Sequence, residues 1–180
     1  MTTNYTNKLH PGVKFPEIKV PSLSGETITL GVPGNGFDWQ LLVVYRGKHC
    51  PLCTKYLNQL QGYKERLAEI GVDIVAVSGD SEVQLNQHVT QLDVDFPLAH
   101  SLSLLQMHEL GVYISDPRSA QETDHPFAEP GLFVINEHGT IQVVDLSNNP
   151  FVRPELEALV NGLAWIRNPD NNYPIRGMHR

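Results

Sequence analysis

The sequence predicts an α/β chain: a central mixed β-sheet flanked by helices, with an N-terminal extension. Three features predict it. Leu41 to Tyr45 and Val72 to Val77 are continuous apolar runs, the character of strands buried on both faces of a mainly parallel sheet. Between them Leu52, Tyr56, Leu60, Tyr63 and Leu67 recur every three or four residues, the apolar stripe of a crossover helix. Further on, two apolar runs flank Asn136, Glu137, His138 and Gly139, the pattern of an antiparallel hairpin.

Taken in order, the first 40 residues are broken by proline, glycine and short polar turns, and only Glu26 to Leu30 alternates as an edge strand or hairpin arm would. Residues 1–40 therefore read as a wrapping segment within one domain that spans residues 1–180. Leu41 to Tyr45 is the first central strand. The helix that follows it ends before Gly71, and Val72 to Val77 completes a strand, helix, strand unit.

Ser81 to Leu92 carries Leu85, Val89 and Leu92 at helical spacing, and Ser103 to Leu110 predicts a short helix stopped by Gly111. Ser115 to Glu129 is polar and reads as loop. Gly131 to Ile135 and Thr140 to Val144 are the hairpin strands. Pro154 suits the first turn of the last helix, which runs to Ile166 with Leu156, Leu159, Leu163 and Ile166 on its core face. Residues 168–180 form a tail. This order of elements resembles the thioredoxin-like fold.

Composition narrows the function. Hydrophobic residues make up 41% of the 180 residues, enough for one core that removes roughly 70% of the unfolded surface from water. A formal net charge of −7 argues against nucleic acid or an anionic membrane as partner, since both require clustered Lys and Arg. No run approaches the roughly 18 apolar residues needed to span a bilayer, and the N-terminus lacks a signal-peptide pattern, so a cytoplasmic location is expected.

The chemistry is carried by Cys50, Pro51, Leu52 and Cys53, a C-x-x-C that holds the only two cysteines of the chain. It follows the first central strand and opens the crossover helix, where exposed amide N–H groups and the helix dipole favour thiolates. Arg46, Lys48 and His49 add positive charge, with His49 equally readable as an exposed turn residue. A thiol pKa below the free value of about 8.5 is expected. Pro51 at the first helical position makes Cys50 the N-cap, exposing its sulfur for attack while Cys53 lies one turn inward as resolver. Zinc would require two further ligands, and the histidines show no paired spacing, so no metal or organic cofactor is expected.

Several stretches resemble the peroxiredoxin-like proteins of the alkyl hydroperoxide reductase and thiol-specific antioxidant family. They are VPSLSGETITL, LLVVYRG, DIVAVSGDS, DFPLAHS and, most specifically, GLFVINEHGTIQVVDLSNNPFVRPELEALV. The resemblance covers about residues 10 to 167 and implies an antioxidant oxidoreductase with a redox-active disulfide. Its substrate would be a hydroperoxide or a protein disulfide, and its donor a thiol reductant such as thioredoxin or glutathione. It also allows a homodimer.

Where the family carries proline, threonine and the peroxidatic cysteine, this chain carries Arg46, Cys50 and Cys53, so the register makes Cys53 the peroxidatic candidate. The family arginine before the GLFVI-like strand is replaced by Pro130. The site is also similar to that of thioredoxins, whose cis-proline faces the sulfurs at the place of Pro130; their buried acid falls here at Val44.

Arg46 stands as a substitute for the missing arginine or as a solvated turn charge. Arg153 matches an arginine that peroxiredoxins carry before the last helix, with a cap or surface role as the favoured reading. Asp80, Asp116, Asp124, Glu129 and the remaining histidines read as solvated loop charges. Dithiol catalysis on peroxide or on disulfide stays undecided, and a non-enzymatic redox sensor whose dithiol state controls a partner is the alternative.

Overall fold

A computed structural model describes residues 4–180. Its elements are β1 (Lys19–Pro21), β2 (Thr27–Thr29), β3 (Trp39–Val44), α1 (Pro51–Gln61), α2 (Lys64–Glu69), β4 (Val72–Val77), α3 (Glu82–His88), β5 (Leu98–Ala99), α4 (Leu104–Leu110), β6 (Ile114–Ser115), β7 (Phe127–Ala128), β8 (Gly131–Ile135), β9 (Ile141–Leu146) and α5 (Leu156–Arg167). Single 3-10 turns follow α3 and α5.

The five-stranded sheet has the order β5-β4-β3-β8-β9. β3 pairs in parallel with β4, Leu41 opposite Ile74, and antiparallel with β8, Leu41 opposite Val134. The sheet is thus mixed, as expected. Alternation along β3 sends Leu41, Val43 and Tyr45 into a core with α1, α2, α3 and α5, and Leu42 and Val44 into a second core with α4, Ile18, Val20 and Leu30. Layers on both faces explain why β3 and β4 are apolar without interruption.

The continuous helix expected from Leu52 to Leu67 is divided. α1 ends at Gln61, Gly62 and Tyr63 form the break, and α2 restarts at Lys64. The apolar stripe persists across the break, with Leu57, Leu60 and Leu67 all buried, so burial and not helical continuity set the spacing. α3 is also shorter than expected, its last residues tightening into a 3-10 turn from Val89. The last helix starts at Leu156, capped by the Glu155 carboxylate on the Glu157 and Ala158 N–H groups, which leaves Pro154 outside it. The polar stretch from Ser115 to Glu129 contains strand residues at both ends, which pair as β6 and β7.

Glu26 to Leu30 does contain a hairpin arm, β2, paired with β1. Isolated bridges tie Ser22 to Ala99 at the β5 edge and Lys14 to Thr140 in the β8–β9 turn. At the other end, Met178 of the tail packs onto Gly12, and Tyr173 lies edge-on to Trp165. Among the described residues no helix is long and apolar enough to cross a membrane.

Candidate active site

β3 delivers the chain into a four-residue turn, Arg46 to His49, and the turn into α1. Gly47 adopts φ of 139°, and a Cβ there would lie 2.6 Å from Asp80 Oδ1, so the turn closes against that carboxylate only as glycine. Asp80 is fully buried; it accepts the Lys48 N–H at 2.8 Å and bonds His125 Nε2 at 3.2 Å. A buried carboxylate held by a main-chain N–H fixes the turn that presents the cysteines.

Cys50 is the N-cap of α1, with Pro51 following it in the first turn. Its Sγ accepts the Cys53 N–H at 3.2 Å, as the sequence led one to expect of a cap residue. The expected exposure of this sulfur is not found: Cys50 is 1% exposed and Cys53 0%, because both belong to the core that also holds Tyr45 and Leu57. Cys53 Sγ accepts Arg153 Nη2 at 3.0 Å, and the same guanidinium lies over the Tyr56 ring.

The two thiols are displaced in opposite directions. Hydrogen bonding from the Cys53 thiol and from the Cys53 N–H, with the Arg153 and Arg46 guanidiniums, brings Cys50 down to about 6 against the opposing effect of burial. Burial pushes the Cys53 thiol up, and its contact with Cys50 pushes it further. These directions favour the anion of the pair on Cys50 and the proton on Cys53. Both cysteines are unbonded in this structure.

The other predicted residues fall as follows. Arg46 is not a solvated charge: it lies over the Phe127 ring and pairs with Glu129 at 3.2 Å, an electrostatic contact not aligned as a hydrogen bond. His49 is neither exposed nor a cation. Its half-buried ring stands edge-on to Phe127, and burial lowers its pKa, leaving it neutral at pH 7. Pro130 is buried and lines a small cavity with Tyr56 and Arg153. The likeness to a cis-proline does not hold, since every peptide bond among the described residues is trans.

Sequence reasoning missed five contributors. Asp80 and Glu129, read as solvated, are buried, and Glu129 also accepts the Ser115 hydroxyl. His125 clamps Asp80, and His88 is buried against the Thr54 hydroxyl at 2.7 Å. Arg153, read as a cap or surface group, touches a sulfur 100 residues away. Asp116 and Asp124 are exposed, as expected.

A thioredoxin-like α/β fold with a paired cysteine capping the first crossover helix defines a protein of the redoxin class. The chain belongs to the AhpC/TSA family, whose family model matches residues 11–144. A sequence search of curated proteins finds no match.

Solved structures agree on the fold. A cysteine mutant of peroxiredoxin 6 from Arenicola marina superposes with a TM-score of 0.74 at 14% identity, over 90% of this chain and 75% of that one. A peroxiredoxin-like protein from Aquifex aeolicus gives 0.72 at 18% identity, over 88% of each chain. AhpC from Mycobacterium bovis gives 0.71 at 18%, over 97% of this chain and 99% of that one.

Proposed function

We propose that this chain is a thiol-dependent peroxidase-type oxidoreductase in which Cys50 and Cys53 cycle between dithiol and disulfide, with a hydroperoxide as oxidant. One observation carries the reading: the Cys50 sulfur caps α1 on the Cys53 N–H at 3.2 Å, with its pKa lowered while that of Cys53 is raised. Burial of both sulfurs supports a small oxidant over a protein disulfide, whose own sulfur would have to reach bonding distance.

The Cys50 thiolate attacks the distal peroxide oxygen. An S–O bond forms, the O–O bond breaks, and the leaving alkoxide takes a proton to become alcohol. Cys53 then attacks the Cys50 sulfenic acid: the S–S bond forms, and hydroxide leaves with the Cys53 proton as water. Two electrons from a thiol reductant restore the dithiol. Arg46 and Arg153 hold the thiolate, Pro130 shapes the apolar wall, and His49 packs the turn without charge. These roles exchange the two sulfurs relative to the family register, in which Cys53 would attack first.

A second reading has its own observation. An N-terminal thiol lowered and a C-terminal thiol raised within C-x-x-C is also the arrangement that suits disulfide exchange.

Reduced Cys53→Ser protein, given one equivalent of hydrogen peroxide and a sulfenate-trapping diketone, should gain one adduct on Cys50, and Cys50→Ser protein should react slowly. No adduct in Cys53→Ser, together with fast exchange on an oxidised peptide, would select the second reading.

A further inference from the structure

Resting on the dithiol cycle above, we propose that Tyr45, His88 and Thr54 form a buried proton relay for its second step. The Cys53 thiol proton passes through the Tyr45 hydroxyl to His88 Nδ1, and Thr54 fixes the imidazole against α1. Such a route answers a need of the site. Burial and the contact with Cys50 hold the proton on Cys53, so its attack on a sulfenic acid calls for a base inside the core.

The three side chains close on the turn that carries both sulfurs. His88, the last residue of α3, is fully buried, and its Nε2 lies 2.7 Å from the Thr54 hydroxyl, which also donates to the Cys50 carbonyl at 3.4 Å. With the Thr54 proton given to that carbonyl, Nε2–H is the donor to Thr54 and Nδ1 is left as the free acceptor. The Tyr45 ring packs 6.0 Å from the His88 ring, centroid to centroid, in the core that holds Cys53. The Tyr45 hydroxyl and His88 Nδ1 are both buried without a hydrogen-bond partner among the described residues. The Ser78 hydroxyl lies near Tyr45 but is not aligned to bond it, and accepts the Asp80 N–H at 3.1 Å instead. A donor and an acceptor orphaned on two packed rings satisfy each other directly or through one water.

The buried carboxylates are occupied elsewhere. Asp80 holds the Lys48 N–H and His125, and Glu129 holds Ser115 and pairs with Arg46. His88 faces Tyr45 from β3, Lys48 from the turn, Thr54 from α1 and Asp80 from the loop after β4. Burial lowers its pKa, with Asp80 opposing and Lys48 assisting, so the imidazole is neutral at pH 7 and able to accept. Burial raises the Tyr45 pKa, and charge on Asp80 or Cys53 raises it further, so the phenol hands a proton on as it receives one.

In the step itself Cys53 Sγ–H gives its proton to Tyr45 Oη while the Tyr45 proton moves to His88 Nδ1. The Cys53 thiolate attacks the Cys50 sulfenic sulfur, the S–S bond forms and the S–O bond breaks. The departing hydroxide is protonated as the imidazolium gives up the proton it gained, and leaves as water. Cys53 is oxidised and the sulfenic sulfur reduced, so no co-reactant enters.

The test follows Cys50 sulfenic acid by quenched-flow mass spectrometry after full-length reduced protein meets one equivalent of hydrogen peroxide. Its decay to the disulfide is first order and reads the second step whatever the speed of the first. In wild-type protein the decay rate should be level from pH 6.5 to 8. His88→Gln keeps an amide donor for Thr54 but has no base at the Nδ1 position. Its decay at pH 7 should be about a hundredfold slower and should climb about tenfold per pH unit as hydroxide takes over the work. Tyr45→Phe should slow decay similarly, with an unfolding temperature equal to or above that of wild type, because the hydroxyl it removes has no partner in the fold. Unchanged decay in both variants, slowing in His88→Gln with the level pH profile retained, or slowing in His49→Gln alone would overturn the relay while the dithiol cycle stands. Absence of sulfenic acid on Cys50 in wild-type protein, with no disulfide formed, would overturn both.

Discussion

Replacing Arg153 by alanine should raise the pH at which the first thiol of the pair ionises by about one unit, from about 6 to about 7. The guanidinium donates to Cys53 Sγ at 3.0 Å and adds its charge to the field that holds Cys50 ionised. The bond itself goes to Cys53, so the effect on Cys50 is through charge, and an opposite charge beside an ionisable group lowers its pKa by roughly 1–3 units. Arg153 is only half-buried and water can take its place, so the lower end applies: about 1.4 kcal/mol, or about one pKa unit. The assay is thiolate absorbance at 240 nm followed through a pH titration, with Cys50→Ser as the blank. Arg153→Lys should keep part of the shift, because a point charge remains where the planar donor is lost. A midpoint unmoved in Arg153→Ala would refute the reasoning and leave the bonds from Cys53, with Arg46, as the cause.

Three further outcomes are expected. The peroxide reaction of wild-type protein should be flat from pH 7 to 8 and fall as pH drops through about 6, since a thiol lowered in the fold loses its anion only below that value; a fall beginning near pH 8.5 would contradict it. Asp80→Ala leaves the Lys48 N–H and His125 Nε2 without their acceptor in a dry site, at a cost of about 2–3 kcal/mol, and thermal unfolding should come roughly 4–12 °C earlier. Gly47→Ala drives a Cβ to 2.6 Å from Asp80 Oδ1 at positive φ, so the turn must shift; both unfolding temperature and the 240 nm thiolate signal at pH 7 should fall, and a variant with neither change would show that the turn does not position the cysteines.

What could be read in advance was what depends on neighbours in sequence. β3 and β4 announced themselves because strands covered on both faces have no polar face to interrupt the run. The cap role of Cys50 followed from Pro51 and the helix stripe. α3 was read from the spacing of Leu85, Val89 and Leu92, and Gly111, in the left-handed region, ended α4 as expected; the serine capping boxes at Ser81 and Ser103, each with a glutamine three residues on, were a legible signal left unused.

What could not be read depends on distant partners. Arg153 reaches Cys53 across 100 residues, His88 meets Thr54 across 34 and His125 meets Asp80 across 45. A lone Asp80 or Glu129 in a polar stretch looks solvated until the fold closes over it. Two-residue strands such as β6 and β7 carry too few residues for alternation to register. The break at Gly62 was hidden because a stripe at spacings of three and four survives a short irregularity that keeps both helices on one core.

The most direct test of the central claim is the second-order rate at which reduced wild-type protein loses thiol to hydrogen peroxide at pH 7, with the oxidised sulfur identified by quenched-flow mass spectrometry. The account predicts a rate far above that of free cysteine, sulfenic acid first on Cys50, and then a single Cys50–Cys53 disulfide. A rate equal to that of free cysteine, or sulfenic acid appearing first on Cys53, would contradict it.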